Sequence, residues 1–210
     1  MKKLLLILAA LSAISCARTG VRLNDVYINS RVGGDIGAKY EKSKESGVTY
    51  LDDKTDGFGG ELALEGYKSL TDNFDLGLGL AYQFHADRKT YDLGSSKASG
   101  SEYKSLPVYL TAKYNFNLDS QIRPYLKTNL GYSFNFDSSD YKETTGYREE
   151  LDIKNGLYWA LGGGLEYNNF IIDLMYAVNK AESKNKTLDQ KEDNDYGRVV
   201  LSAGYKFNLQ

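Results

Sequence analysis

The sequence is poor in the residues that usually stabilise or identify small exported enzymes. Among 210 residues there are one cysteine, one histidine, one tryptophan and two prolines. The cysteine, Cys16, lies within the N-terminal leader described below, so a mature chain that begins after it contains no thiol. Such a chain cannot depend on disulfide bonds for its stability.

The sequence also lacks a long apolar run and a charge excess. Lys and Arg number 26 against 28 Asp and Glu, a net charge of −2, so no global field favours nucleic acid. Mean hydropathy is −0.48, and no apolar run reaches the ~18 residues that a transmembrane helix needs. This does not exclude a membrane β-barrel, because alternating strands average out in a hydropathy window. The 18 Tyr and 21 Gly suit a β-rich chain.

The N-terminus has the pattern of a secretory signal peptide. Lys2 and Lys3 precede the apolar run Leu4 to Ala13, and Ser15-Cys16-Ala17 offers a small-x-small cleavage site. We therefore predict a signal peptide over residues 1–17 and a barrel domain over residues 25–210. The alternative is a lipobox that ends at Cys16, which would then become a lipidated N-terminus.

A strict period of two marks the segment from Phe74 to Ala86, FDLGLGLAYQFHA. Its even positions are bulky and apolar, and its odd positions are small or polar. A period of two places the two sets on opposite faces of an extended strand. At roughly 13 residues the segment is long enough to cross a bilayer, which takes a tilted strand about 9–11 residues.

Seven other segments repeat the pattern. With Phe74 to Ala86, the predicted strands are Val26–Tyr40, Phe58–Tyr67, Leu106–Phe116, Ile122–Phe136, Leu157–Tyr167, Phe170–Val178 and Arg198–Leu209. Long polar loops alternate with short turns, including a two-residue turn at Asn168-Asn169, where Asn tolerates positive φ. Pro107 predicts a bulge or an unpaired position. The predicted fold is all-β, an eight-stranded antiparallel up-and-down transmembrane β-barrel with four long extracellular loops.

Alternation alone fits equally well a lipocalin-like barrel, which has an apolar interior. The volume of the lumen decides between that barrel and a membrane barrel. Eight strands enclose a lumen just wide enough for side chains to fill. The apolar face has far too many bulky residues for that space, whereas the opposite face is rich in Gly and Ala. We therefore expect the bulky face to point outward into lipid. Aromatic residues gather at both ends of that face, Tyr40 among them, as in interfacial girdles.

The chain resembles the small eight-stranded outer-membrane barrels, such as the OmpA membrane domain, OmpX and the opacity-type proteins. The resemblance covers Asp25 to Gln210 and rests on the strand pattern and the closing segment Gly204 to Leu209. It implies the outer membrane of a Gram-negative bacterium, a monomer, and contact with outer-membrane lipids and lipopolysaccharide. It also implies periplasmic chaperones and the barrel-assembly machinery during biogenesis, with Tyr205, Phe207 and Leu209 as the assembly signal, although family members usually end in Phe.

Charges on the inward face are balanced in sign. The predicted lumen charge network consists of Arg31, Asp35, Lys39, Glu61, Glu65, Asp75, Lys113, Arg123, Lys127, Glu166, Asp173, Arg198 and Lys206. In so narrow a tube these groups must pair, because an unmatched partner costs roughly 3–5 kcal/mol. The network predicts a salt-bridged, non-conducting plug; the alternative is a small gated channel or porin.

Catalytic, metal and cofactor sites are not predicted. His85 has no serine two residues away to form a lipid-modifying site, and we interpret it as structural. The acidic runs 52–56 and 192–195 lack the alternating ligands of an EF-hand. The favoured function is therefore a non-enzymatic structural or surface-interaction barrel whose four loops contact an external partner. A lipid-modifying barrel enzyme is the remaining alternative.

Overall fold

The computed structural model describes residues 26–45, 48–51, 53–92, 97–99, 102–118, 120–139, 141–144, 148–149, 151–185 and 191–209. The predicted signal peptide and the Cys16 alternative lie outside this range. Within the described residues, no helix has the length and hydrophobicity needed to span a membrane.

Eight long strands close into one antiparallel barrel, which confirms the predicted fold. They are β1 Val26–Tyr40, β2 Gly60–Ser69, β3 Phe74–Phe84, β4 Lys104–Asn115, β5 Ile122–Phe136, β6 Gly156–Tyr167, β7 Phe170–Asn179 and β8 Tyr196–Asn208. Each strand pairs with its neighbours along the chain, and β8 closes the barrel against β1. The bounds of β1 and β5 match the sequence prediction, and the other strands begin or end within a few residues of theirs.

The bulky apolar face points outward, as the volume of the lumen requires. Val32 and Leu130 are 59% and 58% exposed, whereas their chain neighbours Arg31 and Asn129 are 4% and 3% exposed. The same alternation runs along all eight strands. A continuous belt of exposed Leu, Ile, Phe and Tyr around a barrel is stable only against acyl chains.

A β-bulge near the outer end of β1 overturns two assignments made from the alternation. The register against β8 shifts between Asp35 and Gly37, so Ile36 is an extra residue in β1. Before it the odd-numbered residues face inward, and after it the even-numbered residues do. Tyr40 is therefore buried inside the barrel, 2% exposed, and does not belong to the outer girdle. Lys39 is exposed on the outer surface and does not belong to the lumen network.

Two local predictions from turn and proline chemistry are confirmed. Asn168 has φ +54°, the positive angle expected in the tight turn between β6 and β7. Pro107 opposes Ser133 of β5, but the pairing of β4 with β3 skips Leu106 and Pro107 without a change of register. The proline therefore leaves an unpaired position in that ladder and creates no bulge.

The four long loops contain short strands of their own, which form small sheets separate from the barrel sheet. Within the described residues these strands are Ser43–Glu45, Val48–Leu51, Thr55–Asp56, Asp87–Arg88, Tyr91–Asp92, Lys97–Ser99, Tyr141–Glu143, Arg148–Glu149, Leu151–Lys154, Glu182–Asn185 and Lys191–Asp193. We call them the outer rim. Pairing between strands of different loops ties the first loop to the second, the second to the third, and the third to the fourth.

Candidate functional site in the barrel lumen

The inward faces of the strands place eleven of the thirteen predicted network residues inside the barrel. The first exception is Lys39, which the bulge turns outward. The second is Arg123, which pairs in register with Glu166 but has an exposed side chain near the start of β5. Among the described residues, no carboxylate lies within ion-pair distance of Arg123. The remaining residues form two clusters.

The outer cluster contains seven charged groups linked by ion pairs. The contacts are Arg198 with Asp35 at 3.2 Å and Glu61 at 2.5 Å, Arg31 with Glu61 at 3.8 Å, Glu65 at 2.7 Å and Asp173 at 2.8 Å, and Lys127 with Glu65 at 2.7 Å and Asp173 at 3.4 Å. Three cations thus face four carboxylates, and every side chain is at most 4% exposed. Buried charges persist only when paired and hydrogen-bonded in this way.

The inner cluster, nearer the end where both termini of the barrel lie, has two cations and two carboxylates. Lys113 lies 3.3 Å from Glu166 and 3.8 Å from Asp75, and Lys206 lies 2.8 Å from Glu166. Lys113 also lies over the ring of Tyr125, 4.7 Å from its centroid. These contacts join β3, β4, β6 and β8, so the cluster bridges much of the barrel circumference.

Buried tyrosines complete both clusters, and alternation along the strands does not distinguish them from other inward residues. Their hydroxyl groups donate to four of the six carboxylates in the clusters. The bonds run from Tyr196 to Asp35 at 2.8 Å, from Tyr67 and Tyr109 to Glu65 at 3.0 and 2.8 Å, from Tyr27 to Asp75 at 2.7 Å, and from Tyr125 to Asp173. A buried carboxylate can accept several such bonds, which offset the loss of its hydration.

Inward glycines make room for these tyrosine rings. A Cβ atom added at Gly79 would lie 2.2 Å from the ring of Tyr109, which is its register partner on β4. A Cβ atom at Gly164 would lie 2.6 Å from the hydroxyl oxygen of Tyr125, its partner on β5. An inward glycine opposite an inward tyrosine was the signal in the sequence, but it becomes readable only when the strand register is known.

A neutral polar layer closes the lumen above the outer cluster. The side-chain amide of Asn179 on β7 donates to Gln83 Oε1 on β3 at 2.8 Å, and Gln83 in turn donates to Glu61 at 3.1 Å. In the barrel order, β3 and β7 lie four strands apart in either direction and are therefore diametrically opposite. The two side chains therefore meet across the middle of the lumen.

Aromatic rings cap the lumen just beyond the outer end of β3. The ring of His85 stacks on Tyr196 with centroids 4.0 Å apart and meets Tyr103 edge-on at 4.5 Å. The guanidinium of Arg88 covers the ring of Tyr40 at 4.6 Å. Burial, with a smaller contribution from the Arg198 guanidinium, lowers the pKa of His85 well below its usual value of 6.5. The imidazole in this cap is therefore neutral at neutral pH.

Replacing His85 with phenylalanine is expected to remove part of the acid sensitivity of the barrel. Below about pH 6.5 the unfolded imidazole binds a proton and the buried one does not, so the wild-type free energy of unfolding falls by up to about 1.4 kcal/mol per pH unit. Above pH 6.5 the effect vanishes. Urea unfolding of both proteins in lipid vesicles at several pH values measures it; parallel pH profiles for the two proteins would contradict the assignment.

The three residues of the predicted assembly signal lie near the end of the chain on the outer surface. Tyr205, Phe207 and Leu209 are 40%, 50% and 40% exposed, and the ring of Tyr205 packs against Phe170 and Phe207. Their position next to the β1–β8 closure fits an assembly role, which stays a prediction. Among the described residues, no group of three or more His, Cys, Asp or Glu side chains is placed to hold a metal ion.

The chain matches no model of a known protein family. It is 26% identical over 212 residues to an uncharacterised protein of Pasteurella multocida, and the match covers 88% of this chain and 90% of that relative.

Several solved structures share the fold. Among them is the outer membrane protein OprG of Pseudomonas aeruginosa, with a TM-score of 0.56 and 18% identity over 90% of this chain and 98% of OprG. Another is the outer membrane protein AlkL in DMPC bilayers, with a TM-score of 0.53 and 16% identity over 92% of this chain and 95% of AlkL. The chain therefore has the fold of the small outer-membrane β-barrels, which agrees with the predicted location in the outer membrane of a Gram-negative bacterium.

Proposed function

We propose that this chain is a non-enzymatic outer-membrane barrel whose lumen is sealed and whose outer rim presents a β-structured surface for contact outside the cell. The hydrogen bond between Asn179 and Gln83 carries the first part of the proposal. It joins side chains of diametrically opposite strands at 2.8 Å, where a conducting pore would need water.

The charge clusters support the same conclusion. Their ion pairs connect strands that are not neighbours in the wall, as between Lys127 on β5 and Glu65 on β2. Together the two clusters contain five cations and six carboxylates, so the charges of the lumen nearly cancel. A selective pore is expected to line its path with a larger excess of one sign. The network acts as a structural core that holds the wall together from within.

The environment of His85 supports a non-enzymatic role. Both of its ring nitrogens are buried and have no hydrogen-bond partner among the described residues. A histidine that activates a serine or is oriented by a carboxylate needs those groups within hydrogen-bonding distance. Unchanged acyl chains in the lipids of cells that overproduce the protein would agree with this role, and an altered lipid A would contradict it.

The outer rim supports the proposed contact role. Pairing between loops, such as Lys142 of the third loop with Ser99 of the second, fixes the loops relative to one another on a rigid wall. Recognition residues are often carried by loops that a rigid scaffold positions. A binding screen with chimeras in which each loop is exchanged in turn would locate the partner surface.

Planar-bilayer recording tests the sealed lumen. The wild-type barrel is expected to give no discrete conductance steps. A Lys127→Ala variant removes a cation from a cluster that already has one more carboxylate, and any leak that it opens is expected to be cation-selective. Steady, ion-selective steps from the wild-type protein would overturn the proposal in favour of a small channel.

A further inference from the structure

A cleft lies at the outer end of the barrel, where the chains of β3 and β4 separate. Phe84 and Lys104 are the outermost register pair of these two strands. Beyond them the chain of β3 continues into Asp87–Arg88, which pairs with the first loop, whereas the backbone of Glu102 is hydrogen-bonded to Ser139 of the third loop. The space between the two chains is a cavity of about 260 Å³, which we call the outer cleft.

The imidazole of His85 lines the outer cleft and has no hydrogen-bond partner. His85 is 7% exposed, and among the described residues no group lies within hydrogen-bonding distance of either ring nitrogen. A neutral imidazole has one donor nitrogen and one acceptor nitrogen. Since a buried polar group without a partner costs free energy, this side chain points to a ligand that can donate a hydrogen bond to it.

The charges around the outer cleft favour a cation. Asp87, Glu102 and Asp137 line it together with one cation, Lys104, and Lys104 is paired with Asp137 at 2.5 Å. No ion pair within the described residues involves Asp87. Asp87 also lies directly opposite Asp56 in its strand pair, and like charges in that arrangement destabilise the pair. A bound cation would offset this repulsion.

The size and the lining of the outer cleft indicate an organic cation. In the part of the chain that the structure describes, its carboxylates and His85 do not form a metal-binding group. A volume of about 260 Å³ is slightly below the roughly 300–1,000 Å³ of pockets for drug-sized ligands. It therefore suits a molecule of about ten non-hydrogen atoms. The rings of Phe84 and Tyr103 also line the cleft, and aromatic rings attract ammonium groups.

We propose that the outer cleft is a binding site for a short organic amine, held by the carboxylate of Asp87 and by a hydrogen bond from an ammonium group to the imidazole of His85. An ammonium group has only donors, and both the carboxylate and the neutral imidazole offer acceptors. Glu102 adds negative charge to the lining. The proposal depends neither on the sealed lumen nor on contact of the loops with a partner.

NMR of the full-length folded protein tests the site. The chain has one histidine, so isotope labelling of histidine gives the signals of a single imidazole, which lines the cleft. The protein in phosphatidylcholine bicelles at neutral pH is titrated with triethylene glycol diamine, which is then a linear diammonium ion. The matched neutral probe is triethylene glycol, which has the same chain with hydroxyl groups at its ends.

Two double variants separate the cleft from the rest of the outer rim. Asp87→Asn, Glu102→Gln removes two carboxylates from the cleft, and Glu182→Gln, Asp193→Asn makes the same charge change in the fourth loop. In the wild type and the fourth-loop variant, the diamine is expected to shift the His85 signals saturably and to bind at least about tenfold more tightly than the glycol. The cleft variant is expected to lose about tenfold in affinity for the diamine.

Unchanged His85 signals in the wild type with the diamine would overturn the site, and so would equal affinities for the diamine and the glycol. An equal loss of affinity in the two double variants would also overturn it, because it would indicate a general effect of charge. The heat-dependent gel mobility of folded barrels verifies that each variant is folded. A conducting barrel that binds the diamine in the cleft would contradict only the sealed lumen.

Discussion

Replacing Glu65 with glutamine is expected to lower the free energy of unfolding by about 3–5 kcal/mol, the usual cost of removing one partner from a buried ion pair. Glu65 is fully buried and accepts hydrogen bonds from Arg31, Lys127, Tyr67 and Tyr109. Each oxygen of Glu65 accepts from one cation and one tyrosine hydroxyl. Glutamine keeps the size of the side chain, but its NH2 group cannot accept, so one buried cation and one buried hydroxyl lose their acceptor. Urea unfolding in lipid vesicles, followed by the fluorescence of the single tryptophan, measures the change.

An exposed ion pair of the rim provides the control. Asp137 accepts a hydrogen bond from Lys104 at 2.5 Å, but both side chains are largely exposed. Asp137→Asn is expected to cost no more than about 1 kcal/mol. A Glu65→Gln, Lys127→Met double variant is expected to lose less than the sum of the two single changes, because the pair is coupled. Equal stabilities for Glu65→Gln and Asp137→Asn would contradict a structural role for the lumen network.

The architecture could be predicted from the sequence because two constraints act locally. The period of two identifies each strand without knowledge of its partners, and the narrow lumen decides which face is inside. Both fail where the period breaks. Nothing in the residues around Ile36 marks the bulge, because the nearby Gly34, Gly37 and Ala38 are small enough for either face of the strand. The reversed positions of Lys39 and Tyr40 follow from this one extra residue.

The partners within the site could not be predicted in the same way. Inward parity indicates that Arg31, Glu65 and Lys127 share the lumen, but their pairing depends on the stagger of strands far apart in sequence. Arg123 is on the inward-facing set of residues, but it is the second residue of β5 and lies at the mouth of the barrel, where its side chain is exposed. Depth and stagger are properties of the closed barrel.

The outer rim shows a third limit. The loop sequences are polar and have no sustained alternation, so they predict connections without strands. Their short strands form through pairing between different loops, as between Leu151–Lys154 and Glu182–Asn185. Such pairing becomes available only after the barrel has brought the loop ends together. It is a consequence of the tertiary fold and leaves little local pattern in the sequence.

Replacing Leu130 with arginine is expected to cost about 2–4 kcal/mol in vesicles, the penalty for a cation at the bilayer midplane on the lipid face of a barrel. Leu130 lies near the middle of β5, is 58% exposed and has Leu110 and Trp159 as its register partners.

Ile122→Arg, at the start of the same strand and also outward, is the matched control and is expected to cost about 0–1 kcal/mol because an arginine there reaches the headgroups. Urea unfolding of both variants in the same vesicles separates depth in the membrane from loss of an apolar side chain. Equal losses of unfolding free energy in the two variants would mean that the middle of the barrel wall does not contact acyl chains. The outward position of the apolar side chains would then need another explanation.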